Sequence, residues 1–197
     1  MDFIPLIHTR RSIYQLNSEL PVSAKIVEQA IANSILECPT AFNSQTGRVV
    51  LLWKKSSDIL WQNIASLLQQ QIPAEKFHKT KSKIDSFSAG AGTILFFSDN
   101  KAIEELQKQY PLYSKNFISW DEQSAGMLQY MIWTSLAEKG IGASLQHYNP
   151  IIDSFVQSQY QIPQHWRLLS QMPFGGITQL ADAKSYLPLN IRYKIFS

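Results

Sequence analysis

From Gln123 to Ala137 the chain carries no charged side chain, yet the run holds Gln, Ser and Thr among its apolar residues. Met127, Leu128, Met131, Trp133 and Leu136 point in several directions around a helical axis, so the run does not read as a one-faced surface helix. Such a helix belongs in a core or against another subunit. It is too polar and too short to cross a bilayer, which takes about 20 apolar residues. Ser119 followed by Glu122 predicts a capping-box start. Gly140, just beyond Glu138-Lys139, predicts a left-handed stop. The rest of the chain is read against this helix.

Helical periodicity and caps predict further helices over Asp2 to Thr9, from Ser23 to about Glu37, from Ser57 toward Pro73, over Glu75 to Phe87, from Asn100 to Gln109 and over Ile151 to Gln157. Runs rich in β-branched and aromatic residues predict buried strands at Arg48–Trp53, Thr93–Phe97 and Trp166–Met172. Pro173-Phe174-Gly175-Gly176 reads as the end of the last of these. Ala143–Gln146 reads as a short extended piece, and the alternating tail Asn190–Phe196 reads as another strand. Gly90-Ala91-Gly92 precedes its strand, whereas a dinucleotide fingerprint follows one and opens a helix, so a Rossmann reading is rejected. No repeat, linker or composition break divides residues 1–197, which read as one domain.

A 45% hydrophobic, 17% charged composition is that of a globular chain. The net charge is only +3 and the cations are scattered, so no nucleic-acid partner is expected. One cysteine, Cys38, cannot form an internal disulfide, and with four dispersed histidines no metal site is expected. The Met-Asp-Phe-Ile-Pro start lacks a signal-peptide pattern, and a cytoplasmic protein with no membrane association is expected.

Two cationic clusters carry chemistry. Arg10-Arg11-Ser12 follows the first helix, where paired planar guanidinium donors suit a phosphate monoester; the alternative is a solvated Arg pair. Arg192 and Lys194 share one face of the alternating tail, again phosphate-like, against the alternative of an edge strand guarded by charge. Between them, Asn43-Ser44-Gln45 lies in an amide-rich loop that suits the edge of a heterocycle or simply forms turns. No nucleophile elbow, Walker loop, zinc motif or Cys-x-x-Cys occurs. A chain without catalytic side chains of these kinds suggests that a cofactor supplies the chemistry.

Arg10-Arg11-Ser12, Ala41-Phe42-Asn43-Ser44-Gln45, Gly92-Thr93-Ile94-Leu95-Phe96-Phe97, Trp120-x-Glu-Gln-Ser and Gly140-Ile-Gly-Ala-Ser-Leu-Gln-His-Tyr-Asn, in this order, resemble the FMN-dependent nitroreductase family. More narrowly they resemble its compact bacterial and yeast subgroup, once linked to repression by fatty acids. The resemblance runs from about Ile4 to Phe196. It implies an α+β sandwich, a central mixed or antiparallel sheet flanked by helices, working as an intertwined homodimer with FMN in the interface. It further implies that Arg10 and Arg11 hold the FMN phosphate, with Ser12 near the ribityl or pyrimidine end. Asn43, Ser44 and Gln45 would touch FMN from the partner subunit. Leu145 and Gln146 would lie against the ring, and Arg192 and Lys194 near the phosphate. Tyr14 stands where the family often has a lysine. The family lysine beside the flavin N1 has two candidates, Lys81 and Lys83.

The resemblance implies ping-pong hydride transfer from NADH or NADPH, through FMN, to a flat nitroaromatic or quinone-type acceptor. Phe42, Phe77, Tyr113, Phe117 and Trp120 are candidates for stacking walls. The competing reading is a flavin-binding regulatory or stress-response protein with little turnover.

Overall fold

The computed structural model describes residues 2–196. Its centre is β3 (Gly92–Asp99), every residue of which is buried. A strand buried on both faces needs apolar side chains at successive positions, which Ile94-Leu95-Phe96-Phe97 supplies. Side chains alternate along it. Ile94 and Phe96 enter one core with Val27, Ile31, Leu128, Ile132, Leu136, Met172 and Phe174. Leu95 and Phe97 enter the other, with Leu60, Trp61, Ile64, Ile84, Phe87 and Val156. Each such side chain, fully buried, stabilises the fold by about 1.5–3 kcal/mol.

Around β3 the sheet is antiparallel throughout, in the order β1 (Leu16–Asn17), β5 (Trp166–Ile177), β3, β2 (Gly47–Trp53), with β4 (Gly142–Ala143) also paired to β5. Helices α2 (Ala24–Glu37) and α6 (Asn116–Glu138) supply the first core. Helices α3 (Lys54–Gln71), α4 (Ala74–Ser88) and α7 (Asp153–Gln159) supply the second. The remaining helices are α1 (Phe3–Thr9) and α5 (Asn100–Gln109). This is the α+β sandwich expected, with the sheet antiparallel.

Several boundaries differ from expectation. Helix α6 begins at Asn116, with Lys115 at the N-cap, so Ser119 and Glu122 lie inside it and no capping box forms. Gly140 does take φ +73° after the helix, the left-handed conformation that glycine adopts without a Cβ clash. Helix α3 begins at Lys54, while Ser57 is buried and bonded to Thr93 at 2.7 Å. Strand β5 runs on through Pro173 to Ile177. The Pro173 carbonyl accepts from Ser144 N at 3.3 Å. Gly175 passes so close to β1 that a Cβ on it would sit 2.2 Å from the Asn17 carbonyl oxygen.

The tail is the larger difference. Residues 182–196 are exposed and form no strand; the one regular piece is a turn at Leu189–Ile191. An alternating sequence becomes a strand only where a sheet edge offers a ladder, and none of the described strands pairs with it. Helix α6 is likewise half covered. Leu128 and Ile132 are core, whereas Ile118, Met127 and Tyr130 on the same helix are exposed. No helix among the described residues is long and apolar enough to cross a membrane.

Candidate functional site

Helix α1 ends with Arg10 N bonded to Leu6 O at 3.1 Å, and the chain then runs extended. Ile13, buried, ties that segment to the body by donating from N to Ala143 O at 2.9 Å, and Ser12 bridges to Ala143 in parallel. Three residues on, Leu16 pairs with Ile177 at the end of β5. Thr178 N then reaches Gln15 O at 3.2 Å, which turns the chain after β5 across the mouth of this segment as a strap. Arg11 Nη2 donates to the Asp182 carbonyl at 2.7 Å and holds the strap in place.

Between the segment and the strap lies a cavity of about 520 Å³ lined by Arg10, Arg11, Ser12, Tyr14, Gln15 and residues 179–184, a size that suits a small-molecule ligand. Its charged lining is Arg10, Arg11 and Lys184 against the lone carboxylate of Asp182. Lys83 extends the positive field from the next element: its Nζ lies 5.8 Å from the centre of the Tyr14 ring. The cavity therefore favours an anion. Arg10 Nε is buried without a hydrogen-bond partner among the described residues. A buried donor left unpaired is costly, and an incoming oxyanion would relieve it.

Leu145 and Gln146 leave this region along the body of the sheet. Leu145 packs partly buried on the first core. Gln146 is buried, pairs by backbone with Gln171 (2.7 and 2.9 Å) and donates from Nε2 to Ser144 Oγ at 3.0 Å. Since Ser12 bridges to Ala143, the Arg10–Ser12 and Leu145–Gln146 groups lie close together.

Asn43, Ser44 and Gln45 lie elsewhere. Their loop packs at the start of α6, where Phe42 stacks on Trp120 with centroids 5.8 Å apart and meets Tyr110, Tyr113 and Phe117 at 4.8–5.7 Å. Four of the five aromatics proposed as stacking walls thus gather in one nest, with Tyr110 added; Phe77, on α4, is not among them. The loop holds three non-glycine residues at positive φ: Phe42 (57°), Asn43 (50°) and Gln45 (47°). Each such residue costs on the order of 1 kcal/mol, which the surrounding structure must overcome. Gln45 N donates to Thr40 Oγ1 (3.1 Å) and Arg48 Nη1 to Gln45 O (2.6 Å), which fixes the loop. Gln45 also lines a cleft of about 160 Å³ with Cys38, Arg48 and Leu128. Burial pushes the Cys38 thiol above its ordinary range.

The aromatic nest and the Arg10 cavity sit toward opposite ends of α6. Trp120 and Trp133 are 13 residues apart, about 20 Å along a helix. Arg192 and Lys194 are exposed on the tail and line neither place. Of the two lysine candidates, Lys81 pairs with Asp85 on the exposed face of α4, and Lys83 alone reaches Tyr14.

The strap has no signature in the sequence. Nothing periodic marks Gln179–Lys184, a mixed stretch that becomes a cavity wall as the chain leaves the end of β5 beside β1. Trp133, expected with its helix in a core or a subunit interface, does pack partly buried on the first core, and its ring also lies under Arg10.

The family model described as the nitroreductase family matches residues 7–176. The nitroreductase FRM2 of Saccharomyces cerevisiae is 31% identical over 188 residues, covering 94% of this chain and 93% of that protein. The nitroreductase CinD from Lactococcus lactis, solved in complex with nicotinic acid, is 38% identical with a TM-score of 0.93 and full coverage of both chains. CinD has also been solved with chloramphenicol and with 4-nitrophenol. A protein from Exiguobacterium sibiricum solved in complex with FMN has the same fold at 14% identity, with a TM-score of 0.73 over 100% of this chain and 98% of that one.

Proposed function

Because this chain belongs to the nitroreductase family, we propose that it is an FMN-dependent oxidoreductase that takes hydride from NADH or NADPH and reduces flat aromatic acceptors of the nitroarene or quinone type. The observation that carries this reading is the cavity at the end of α1. There Arg10, Arg11 and Lys184 converge, and the unpaired Arg10 Nε offers a buried donor with no acceptor of its own. That donor set fits a phosphate monoester.

Arg10 and Arg11 would hold the phosphate, with Ser12 toward the ribityl chain and Tyr14 and Lys83 toward the ring. Lys83 is the better of the two candidates for the lysine near N1, since Lys81 is taken up by Asp85. Gln146, held by Gln171 and Ser144, and Leu145 beside it would form a fixed floor for the ring. FMN held there would supply the hydride-transfer chemistry between a nicotinamide and an acceptor that occupy the same site in turn. The protein's part is to hold the reactants at transfer distance and to set cations beside the charge that develops. Nicotinic acid and 4-nitrophenol, both bound by CinD, are of the two chemical kinds that such a shared site would take in turn.

The site is completed by a second copy. The aromatic nest and the Asn43–Gln45 loop cannot reach the Arg10 cavity within one chain, being about 20 Å along α6 from it. Two α6 helices packed antiparallel through Met127 and Tyr130 would bring the loop of one chain to the cavity of the other. The exposed apolar tail (Leu187, Ile191 and Phe196) would be covered by the same association, which would also carry Arg192 and Lys194 toward a phosphate.

The test is purification without added cofactor, a visible spectrum, then anaerobic mixing with each nicotinamide and with 4-nitrophenol. The reading expects flavin absorbance that bleaches with NADH or NADPH and returns on adding the nitroarene. A colourless protein that does not take up FMN contradicts it. A yellow protein that bleaches slowly and is not reoxidised by acceptors points instead to a flavin-binding regulator.

A further inference from the structure

Resting on the phosphate assignment above, we propose that Trp133 is a positioning residue for the cofactor phosphate: its indole is the platform that aims the Arg10 guanidinium into the cavity. The guanidinium carbon lies 4.4 Å from the Trp133 ring centroid and 5.7 Å from that of Tyr130, one turn earlier on α6. A cation over an indole face is attracted by the ring quadrupole, most strongly where water is partly excluded. Stacking also uses the flat face of the guanidinium and leaves its edge, where every N–H lies, free for an acceptor.

The indole itself is fixed. Its Nε1 donates to Ala143 O at 3.1 Å, the same carbonyl that accepts Ile13 N at 2.9 Å. One carbonyl therefore registers three things: the segment that carries Arg10, the helix that carries Trp133, and β4, which leads to Leu145 and Gln146. Arg11 differs in kind. Its Nη2 is already committed to Asp182 O, so it anchors the strap, while Arg10 keeps a buried Nε with no partner among the described residues. Arg10 is thus the arginine free to discriminate for phosphate, and its aim depends on Trp133.

The consequence is selectivity for FMN over riboflavin, which has the same ring and ribityl chain without the phosphate. Apoprotein of the wild type and of Trp133→Leu, Trp133→Phe, Arg10→Ala and Arg10→Lys is titrated with FMN and, separately, with riboflavin, following flavin fluorescence, with circular dichroism to verify folding. Trp133→Leu is expected to weaken FMN binding about tenfold more than riboflavin binding, the scale of one partly desolvated cation–π contact. Trp133→Phe, which keeps a ring face, retains most of the preference. Should the Leu variant not fold, Arg10→Lys carries the test: it keeps the charge but lacks the planar face, and is expected to lose about tenfold for FMN alone. Wild-type FMN affinity in Arg10→Lys or Trp133→Leu, or an equal loss for both flavins, overturns the proposal. Arg10→Ala separates the two levels. If it lowers FMN but not riboflavin affinity, the phosphate assignment stands even where the platform falls; if it leaves the ratio unchanged, both are wrong.

Discussion

Arg11 reaches across 171 residues of sequence to donate from Nη2 to the carbonyl of Asp182 at 2.7 Å. That bond fastens the strap to the first segment of the chain, and the cavity is the space between them. Arg11→Ala should therefore leave the sheet and both cores intact while freeing residues 179–184. The expected result is faster proteolytic cleavage within the strap and about tenfold weaker FMN retention, on the scale of one charged hydrogen bond. Limited proteolysis followed by mass spectrometry, alongside flavin titration, checks both. A strap as resistant as in the wild type would count against the anchoring role.

Asp121 is a buried carboxylate on α6 that accepts from Thr46 Oγ1 at 2.6 Å and from Ser98 Oγ at 2.7 Å. It ties α6 to the starts of β2 and the end of β3. Asp121→Ala would leave two buried hydroxyls without their acceptor, and should cost about 2–4 kcal/mol of stability. Urea denaturation measures it. Asp121→Asn, which keeps an acceptor oxygen, should lose less.

Gly126 sits in the middle of α6 on its exposed side, where an added Cβ would meet nothing within 4 Å. Within one chain, Gly126→Ala should stabilise the helix by about 1 kcal/mol. A large residue there is equally harmless to the single chain but obstructs a second α6. Gly126→Trp should thus yield a folded monomer by sedimentation, with native circular dichroism and weakened FMN retention. A dimeric Gly126→Trp would place the subunit contact elsewhere.

The Tyr160 hydroxyl donates to Ser56 O at 2.8 Å, and burial pushes its pKa up from 10.0 to about 12. In the folded protein the phenol therefore stays protonated where the unfolded chain has begun to ionise. Stability is fully present below pH 10 and falls as pH rises toward 12, because the folded state then holds the extra proton. Tyr160→Phe should be less stable at neutral pH through its lost hydrogen bond, yet show a flatter decline between pH 10 and pH 12. Thermal melts across that window supply the measurement.

The parts of this structure that depend on local pattern were readable in advance. Ile94-Leu95-Phe96-Phe97 could only be a strand covered on both faces, and Gly140 stops α6 where a left-handed residue was needed. Boundaries slipped where tertiary contacts overrode local chemistry. Ser57 looked like a cap and became a buried partner of Thr93; Pro173-Phe174-Gly175-Gly176 looked like the end of a strand and continued it, pairing with β1 and β4. The site was legible in pieces. Arg10, Arg11, Ser12 and Tyr14 do line one cavity, and Phe42, Tyr113, Phe117 and Trp120 do gather. Their separation along α6 was not readable, since it depends on how helix and sheet pack. The alternating tail around Arg192 misled, because alternation specifies a strand only when a ladder is available. Trp133 was hidden by its own composition: an indole in an uncharged helix is usually core, and only the arrival of Arg10 from another element gives it a second task.

The closure of the cavity by the strap has a consequence for biosynthesis. Its floor is made early, near residue 10, and its cover only when translation has passed residue 184. A nascent chain or a prematurely ended product holds every aromatic of the nest but has no enclosed pocket to load. The enclosed cavity therefore belongs only to chains that extend past residue 184.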